Sequence, residues 1–120
     1  MEINKKIQEA IKALQNQDLD KTISICNDIL EKSKDNSIVY NICGLALQKK
    51  KLFEESIENF KKAIKSDPNN FEAHNNLALS YKYIEKIDLA EKEYLKCLNI
   101  NSKFVNALVN LAKLKFENKE

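Results

Sequence analysis

His74 is the only histidine in the 120-residue chain, and it is the first place to look for a general base. A nucleophile for it to activate would come from Cys26, Cys43 or Cys97. The three cysteines are odd in number and widely spaced. That is neither a CxxC metal pair nor the even count of a disulfide framework. A single glycine, Gly44, leaves no room for a GxGxxG or GxxxxGK[ST] phosphate loop. All twenty basic residues are lysine, so the chain lacks the planar fork of arginine that grips phosphate, carboxylate or guanine in a bidentate way. Asp and Glu are scattered, and the pattern places them on solvated exteriors. These residues predict no enzyme: no catalytic, cofactor or metal site, and no cofactor.

The elements that would have to position such groups are helices. One glycine and one proline supply few hairpins, while Ala, Leu, Lys and Glu dominate. The net charge is +2 and the signs are interspersed, without the basic stripe of a nucleic-acid binder. No apolar run approaches the roughly 18 residues of a membrane span. The first residues, MEINKKIQEAIK, contain no apolar leader segment, which together with the unpaired thiols predicts a cytoplasmic protein.

The chain then repeats itself every 34 residues. Ala10, Gly44, Ala78 and Ala112 recur at that interval, as do Thr22, Ser56 and Ala90, and Cys26, Phe60 and Tyr94. A period of this size marks a stacked-repeat solenoid, in which each unit buries its face only against its neighbours. Within one unit Tyr40, Cys43, Gly44 and Leu47 share one face of a helix at i, i+3, i+4, i+7. Ile57, Phe60, Ala63 and Ile64 form the answering face of a second helix, which Pro68 terminates. The expected helices are 2–15, 19–33, 37–49, 53–65, 71–84, 87–98 and 104–118. Gly44 in mid-helix costs about 1 kcal/mol against Ala, so a neighbouring backbone is expected close by. His74 and the three cysteines all fall at inward slots, where Cys acts as a small hydrophobe.

This pattern resembles the tetratricopeptide repeat (TPR), through Tyr40, Gly44, Phe60, Ala63 and Pro68 in the second copy and Leu77, Ala78, Tyr81, Ala90 and Tyr94 in the third. It departs at Cys43, Leu47, Ser56, His74, Cys97 and Ser102, and the first copy fits weakly, with Lys6 and Glu9 at apolar slots. The resemblance implies an all-α, right-handed TPR solenoid of three helix pairs plus a lone C-terminal helix. It would form a single domain over 1–120, with repeats 3–36, 37–70 and 71–104 and a half repeat 105–120.

The face of each first helix opposite its partner would line a concave groove. Ile38, Ile42, Leu45 and Lys49 lie there in repeat 2, Glu72, Asn76, Leu79 and Tyr83 in repeat 3, and Asn110 in the half repeat, with Asn41 and Asn75 flanking. Ile42, Leu45, Leu79 and Tyr83 are expected as apolar anchors. Asn41, Asn75, Asn76 and Asn110 are expected as amide contacts, since an amide side chain matches any peptide backbone. The alternative is that adjacent helices bury part of this set against each other. The segments AHNNLA and ALVNLA resemble the repeats of O-linked N-acetylglucosamine transferase, which implies peptide-holding roles for Asn76 and Asn110. The carboxylate clamp of chaperone-binding repeats needs cations where this chain has Asn106 and Asn110. The expected function is a non-catalytic protein- or peptide-binding scaffold. A second possibility is the N-terminal substrate-docking arm of a larger transferase. Expected partners are proteins or extended peptides, with no nucleic acid and no membrane, and the apolar C-terminal helix predicts weak self-association.

Overall fold

The computed structural model describes residues 2–118; Lys119 and Glu120, the end of the polar tail, lie outside the described residues. Among the described residues the chain forms seven helices and no strand: α1 (Glu2–Gln15), α2 (Leu19–Lys32), α3 (Ser37–Lys49), α4 (Phe53–Ser66), α5 (Phe71–Tyr83), α6 (Ile87–Ile100) and α7 (Val105–Glu117). They pack in sequence as antiparallel pairs, α1 with α2, α3 with α4 and α5 with α6, with α7 as the first helix of an unfinished pair. The resulting right-handed solenoid measures 49 × 26 × 21 Å. Every boundary falls within two residues of the spacing-based expectation.

The turns repeat as strictly as the helices. Gln17, Lys51 and Glu85, 34 residues apart, each take positive φ just after the first helix of a pair. In each turn the next residue's N–H reaches back to a carbonyl five residues earlier: Asp18 to Ala13, Leu52 to Leu47 and Lys86 to Tyr81, all at 2.9 Å. This closes the helix end with a left-handed residue that is not glycine, at about 1 kcal/mol each. At the other kind of turn Asn36 and Asn70 cap α3 and α5 by accepting from Val39 N (3.2 Å) and Ala73 N (3.1 Å). Phe104 holds the equivalent place before α7 and cannot cap; its ring instead meets Phe71 edge-on at 5.0 Å.

Two apolar clusters fill the interior. Ile7, Ala10, Cys26, Ile29, Val39, Cys43 and Leu47 occupy the N-terminal half. Phe60, Leu77, Ala78, Tyr94, Cys97 and Leu114 occupy the C-terminal half. Gly44 touches a ring rather than a backbone: a Cβ there would lie within 2.9 Å of three ring carbons of buried Phe60. On α7, Leu114 is 1% exposed and belongs to the core. The exposed stripe of α7 is Val105, Leu108, Val109 and Phe116, the last 80% exposed.

Candidate functional site

The first helices of successive pairs, α1, α3, α5 and α7, pack side by side and make up one face of the solenoid, the face expected to be the groove. Two side-chain amide pairs cross it. Asn76 Nδ2 donates to Asn41 Oδ1 at 3.0 Å, and Asn110 Nδ2 donates to Asn75 Oδ1 at 3.2 Å. Both pairs span 35 residues, one more than the repeat, because the donor sits one place beyond the slot that holds the acceptor. In the first pair Asn41 Nδ2 and Asn76 Oδ1, the side-chain atoms left over by the contact, have no other side-chain partner among the described residues, so the unit offers a donor and an acceptor to the groove. Asn75 is 6% exposed, which leaves Asn110 as the accessible member of the second pair.

The predicted apolar anchors divide. Tyr83 is 54% exposed, and its ring stacks on Phe53 with centroids 4.8 Å apart. Leu45 and Leu79 are half-buried on the groove wall. Ile42 is 5% exposed and belongs to the N-terminal core, so adjacent first helices do bury part of the set. Two clefts open between these residues. One, of about 470 Å³, is floored by Ile11, Leu14, Ile38, Leu45 and Phe71, with Asp67 and Glu72 at its rim. The other, of about 310 Å³, lies against Phe53, Leu79 and Tyr83, with Lys49 and Lys51 beside it. Leu14, Phe53, Phe71 and Asp67 were missing from the sequence-based groove. They come from a turn and from helix ends, where periodicity along the first helices gives no signal.

The groups that could do chemistry are engaged in structure. His74 is buried between α5 and α6, its Nδ1 2.8 Å from Glu93 Oε1 and its Nε2 3.2 Å from the Pro68 carbonyl oxygen. Glu93 was expected on an exterior and is instead buried, with Lys96 3.4 Å from its second oxygen. Burial by itself would raise this carboxyl, but the His74 hydrogen bond and the Lys96 charge outweigh it and hold it below the usual carboxylate value. All three thiols are free and buried. Burial pushes Cys97 up to about 11, and contact with the Cys43 sulfur, with burial, holds Cys26 far above the usual thiol range. Cys26 and Cys97 are therefore protonated and inert at neutral pH, while the same sulfur contact with Cys26 shifts Cys43 below the usual thiol value. Among the described residues no group of His, Cys, Asp and Glu is placed to hold a metal ion, and no helix is long and apolar enough to cross a membrane.

Comparison with known proteins agrees with the repeat geometry. Family models for the TPR repeat and the tetratricopeptide repeat match residues 44–84 and 71–104, together spanning 44–104. Human protein O-mannosyl-transferase TMTC3 is 29% identical over 80 residues, covering 67% of this chain and 9% of that protein. The chain thus spans about a tenth of the curated relatives it matches. Among solved structures, the first TPR of Spaghetti (RPAP3), bound to the HSP90 peptide SRMEEVD, superposes with a TM-score of 0.92 at 14% identity, over 98% of this chain and 94% of that one. The O-GlcNAc transferase of Thermobaculum terrenum superposes with a TM-score of 0.93 at 17% identity, over 98% of this chain and 22% of that one. With its 34-residue period, paired helices and matching family models, the chain belongs to the tetratricopeptide repeat family.

Proposed function

We propose that the chain is a non-catalytic scaffold that binds a protein or extended peptide along its concave face. The observation that carries this reading is the Asn41–Asn76 pair, which keeps a donor and an acceptor free beside two apolar-lined clefts. A peptide main chain needs that combination whatever its side chains are. Asn110, Leu45, Leu79 and Tyr83 extend the contact surface, while Ile42 and Asn75 support it from beneath. Peptide-bound relatives of the same fold lend support to the reading. Replacing Asn76 and Asn110 together by Ala should weaken capture of partner peptides on an array while lowering stability by about 1–2 kcal/mol. Unchanged capture by a folded variant would remove the groove from the function.

The partial matches to protein O-mannosyl-transferase TMTC3 and to O-GlcNAc transferase favour a second reading, a substrate-docking arm of a larger transferase-type enzyme. An immunoblot of the natural source separates the two. A band near 13.9 kDa supports the free scaffold, and a much larger one supports the arm. The free thiols fit a reducing compartment such as the cytoplasm, and the interspersed charge disfavours nucleic acid as partner. Weak self-association would run through the α7 stripe. Phe116→Lys should then abolish any rise of light scattering with concentration while changing stability by less than about 0.5 kcal/mol.

A further inference from the structure

The two clefts of the groove carry charges of opposite sign. From this we propose that the preferred ligand is an extended segment with a large aliphatic or aromatic residue next to Lys or Arg, and an acidic residue further along. This rests on the groove reading above and names the chemistry of its occupant. The larger cleft has an apolar floor and two acidic rim residues, Asp67 and Glu72. The smaller one sets the Phe53–Tyr83 stack and Leu79 against Lys49 and Lys51. None of these four charges takes part in an ion pair among the described residues, whereas the neighbouring Lys50 pairs with Asp20 and Lys82 with Glu117.

Helix ends account for part of this distribution. Glu72 lies in the first turn of α5 and Lys49 in the last turn of α3, where the helix dipole favours those signs. The same rule fails for Asp67. It follows the last residue of α4, where the dipole disfavours an anion, and only one of its oxygens is engaged, accepting from Asn69 N at 3.0 Å. Lys51 sits in the left-handed turn, where backbone preference selects Gly or Asn rather than a cation. The volume of the larger cleft, about 470 Å³, suits a bulky side chain. A cation beside that side chain meets Asp67 and Glu72, and an anion further along meets Lys49 and Lys51. The free groups of the Asn41–Asn76 pair hold the main chain between them.

Fluorescence anisotropy with the full chain tests this, using fluorescein-labelled Gly/Ser peptides that carry Leu–Lys and, two to six residues away on either side, Glu. The control set exchanges Lys and Glu within the same peptides. Exposed charge pairs are each worth a few-fold in affinity, so four of them should favour the Leu–Lys/Glu set by roughly tenfold at low salt. The Asp67→Lys, Glu72→Lys variant, with both clefts then basic, should abolish the preference, and the fourfold Asp67→Lys, Glu72→Lys, Lys49→Glu, Lys51→Glu variant should invert it. Equal affinity for the two sets would overturn the charge assignment while leaving the groove intact as a peptide site. Binding that survives Leu45→Lys and Leu79→Lys in a folded protein would place the ligand elsewhere and overturn both readings.

Discussion

Two successive joints of the solenoid occupy the same slots with different chemistry. Where repeat 2 meets repeat 3, Gln48 donates to the Asn76 carbonyl (3.0 Å) and to Ser80 Oγ (2.8 Å). Ser80 and Ser56 hydroxyls meet at 2.7 Å, and Ser56 donates to the Phe53 carbonyl at 2.6 Å. This gives a buried chain of donors ending on the backbone. Thirty-four residues on, the slots of Gln48, Ser56 and Ser80 hold Lys82, Ala90 and Leu114. The second joint is therefore closed by a buried leucine, with Lys82 turned outward to Glu117 at 2.9 Å. The aromatic slots differ in the same way. Tyr40 donates its hydroxyl to the Lys34 carbonyl at 2.8 Å, while His74 places a titratable ring against the Pro68 carbonyl and Glu93. Gly44 with Phe60 becomes Ala78 with Tyr94. The backbone repeat tolerates polar or apolar closure, and among the described residues Tyr94 Oη is the one buried side-chain polar atom left unsatisfied.

Importing the polar solution of the first joint into the second breaks the comparison most severely. Leu114→Ser should cost about 2–5 kcal/mol, because it leaves a cavity and a hydroxyl whose Ser56 counterpart is Ala90. Urea unfolding measures it, and recovery in a Leu114→Ser, Ala90→Ser double variant would show that partnering, not volume, governs the joint.

The His74–Glu93 pair should make repeat 3 sensitive to acid and leave repeat 2, with Tyr40 in the same slot, indifferent. Because the folded Glu93 carboxyl is held below its ordinary value of 4.5, its stabilisation is complete above that pH and is lost as pH falls through the depressed value. Glu93→Gln should cost about 1.5–3 kcal/mol at neutral pH and flatten the acid limb of the melting-temperature profile, whereas Tyr40→Phe should leave that limb unchanged.

Gly44→Ala forces a methyl into the Phe60 ring, and the strain should exceed the gain of about 1 kcal/mol in helix propensity, for a net loss of about 1–2 kcal/mol. Phe60→Leu should relieve it. In a thermal melt, a Gly44→Ala protein more stable than the parent would show that the ring moves freely.

A milder contrast sets Gln48→Ala against Lys82→Ala. The first removes two hydrogen bonds, to the part-buried Asn76 carbonyl and to buried Ser80 Oγ, and should cost about 1–2 kcal/mol, while the second removes a partly exposed ion pair worth less than about 1 kcal/mol. The smallest effect should be a gain. Tyr94 is fully buried and its hydroxyl, a group that Phe60 lacks, has no partner among the described residues. Tyr94→Phe should therefore stabilise the protein by about 1 kcal/mol in the same assay.

By itself the sequence determined the elements. The 34-residue spacing, one proline, two asparagine caps and the i, i+3, i+4, i+7 pattern are local quantities, and they set helix bounds, inward slots and the burial of His74 and all three cysteines. Periodicity reports the angle of a residue around its own helix. It is blind to the offset between neighbouring helices. Tertiary structure alone decided that Ile42 and Asn75 sink between first helices while Leu45, Asn76 and Tyr83 stay within reach, and that the groove amides pair with each other at 35 residues instead of 34. It also decided that Glu93 turns inward to a histidine 19 positions away, and that Phe60, not backbone, fills the space above Gly44. Each of these depends on how two helices cross, which is set by the packing of many side chains at once and not by the spacing along any one of them.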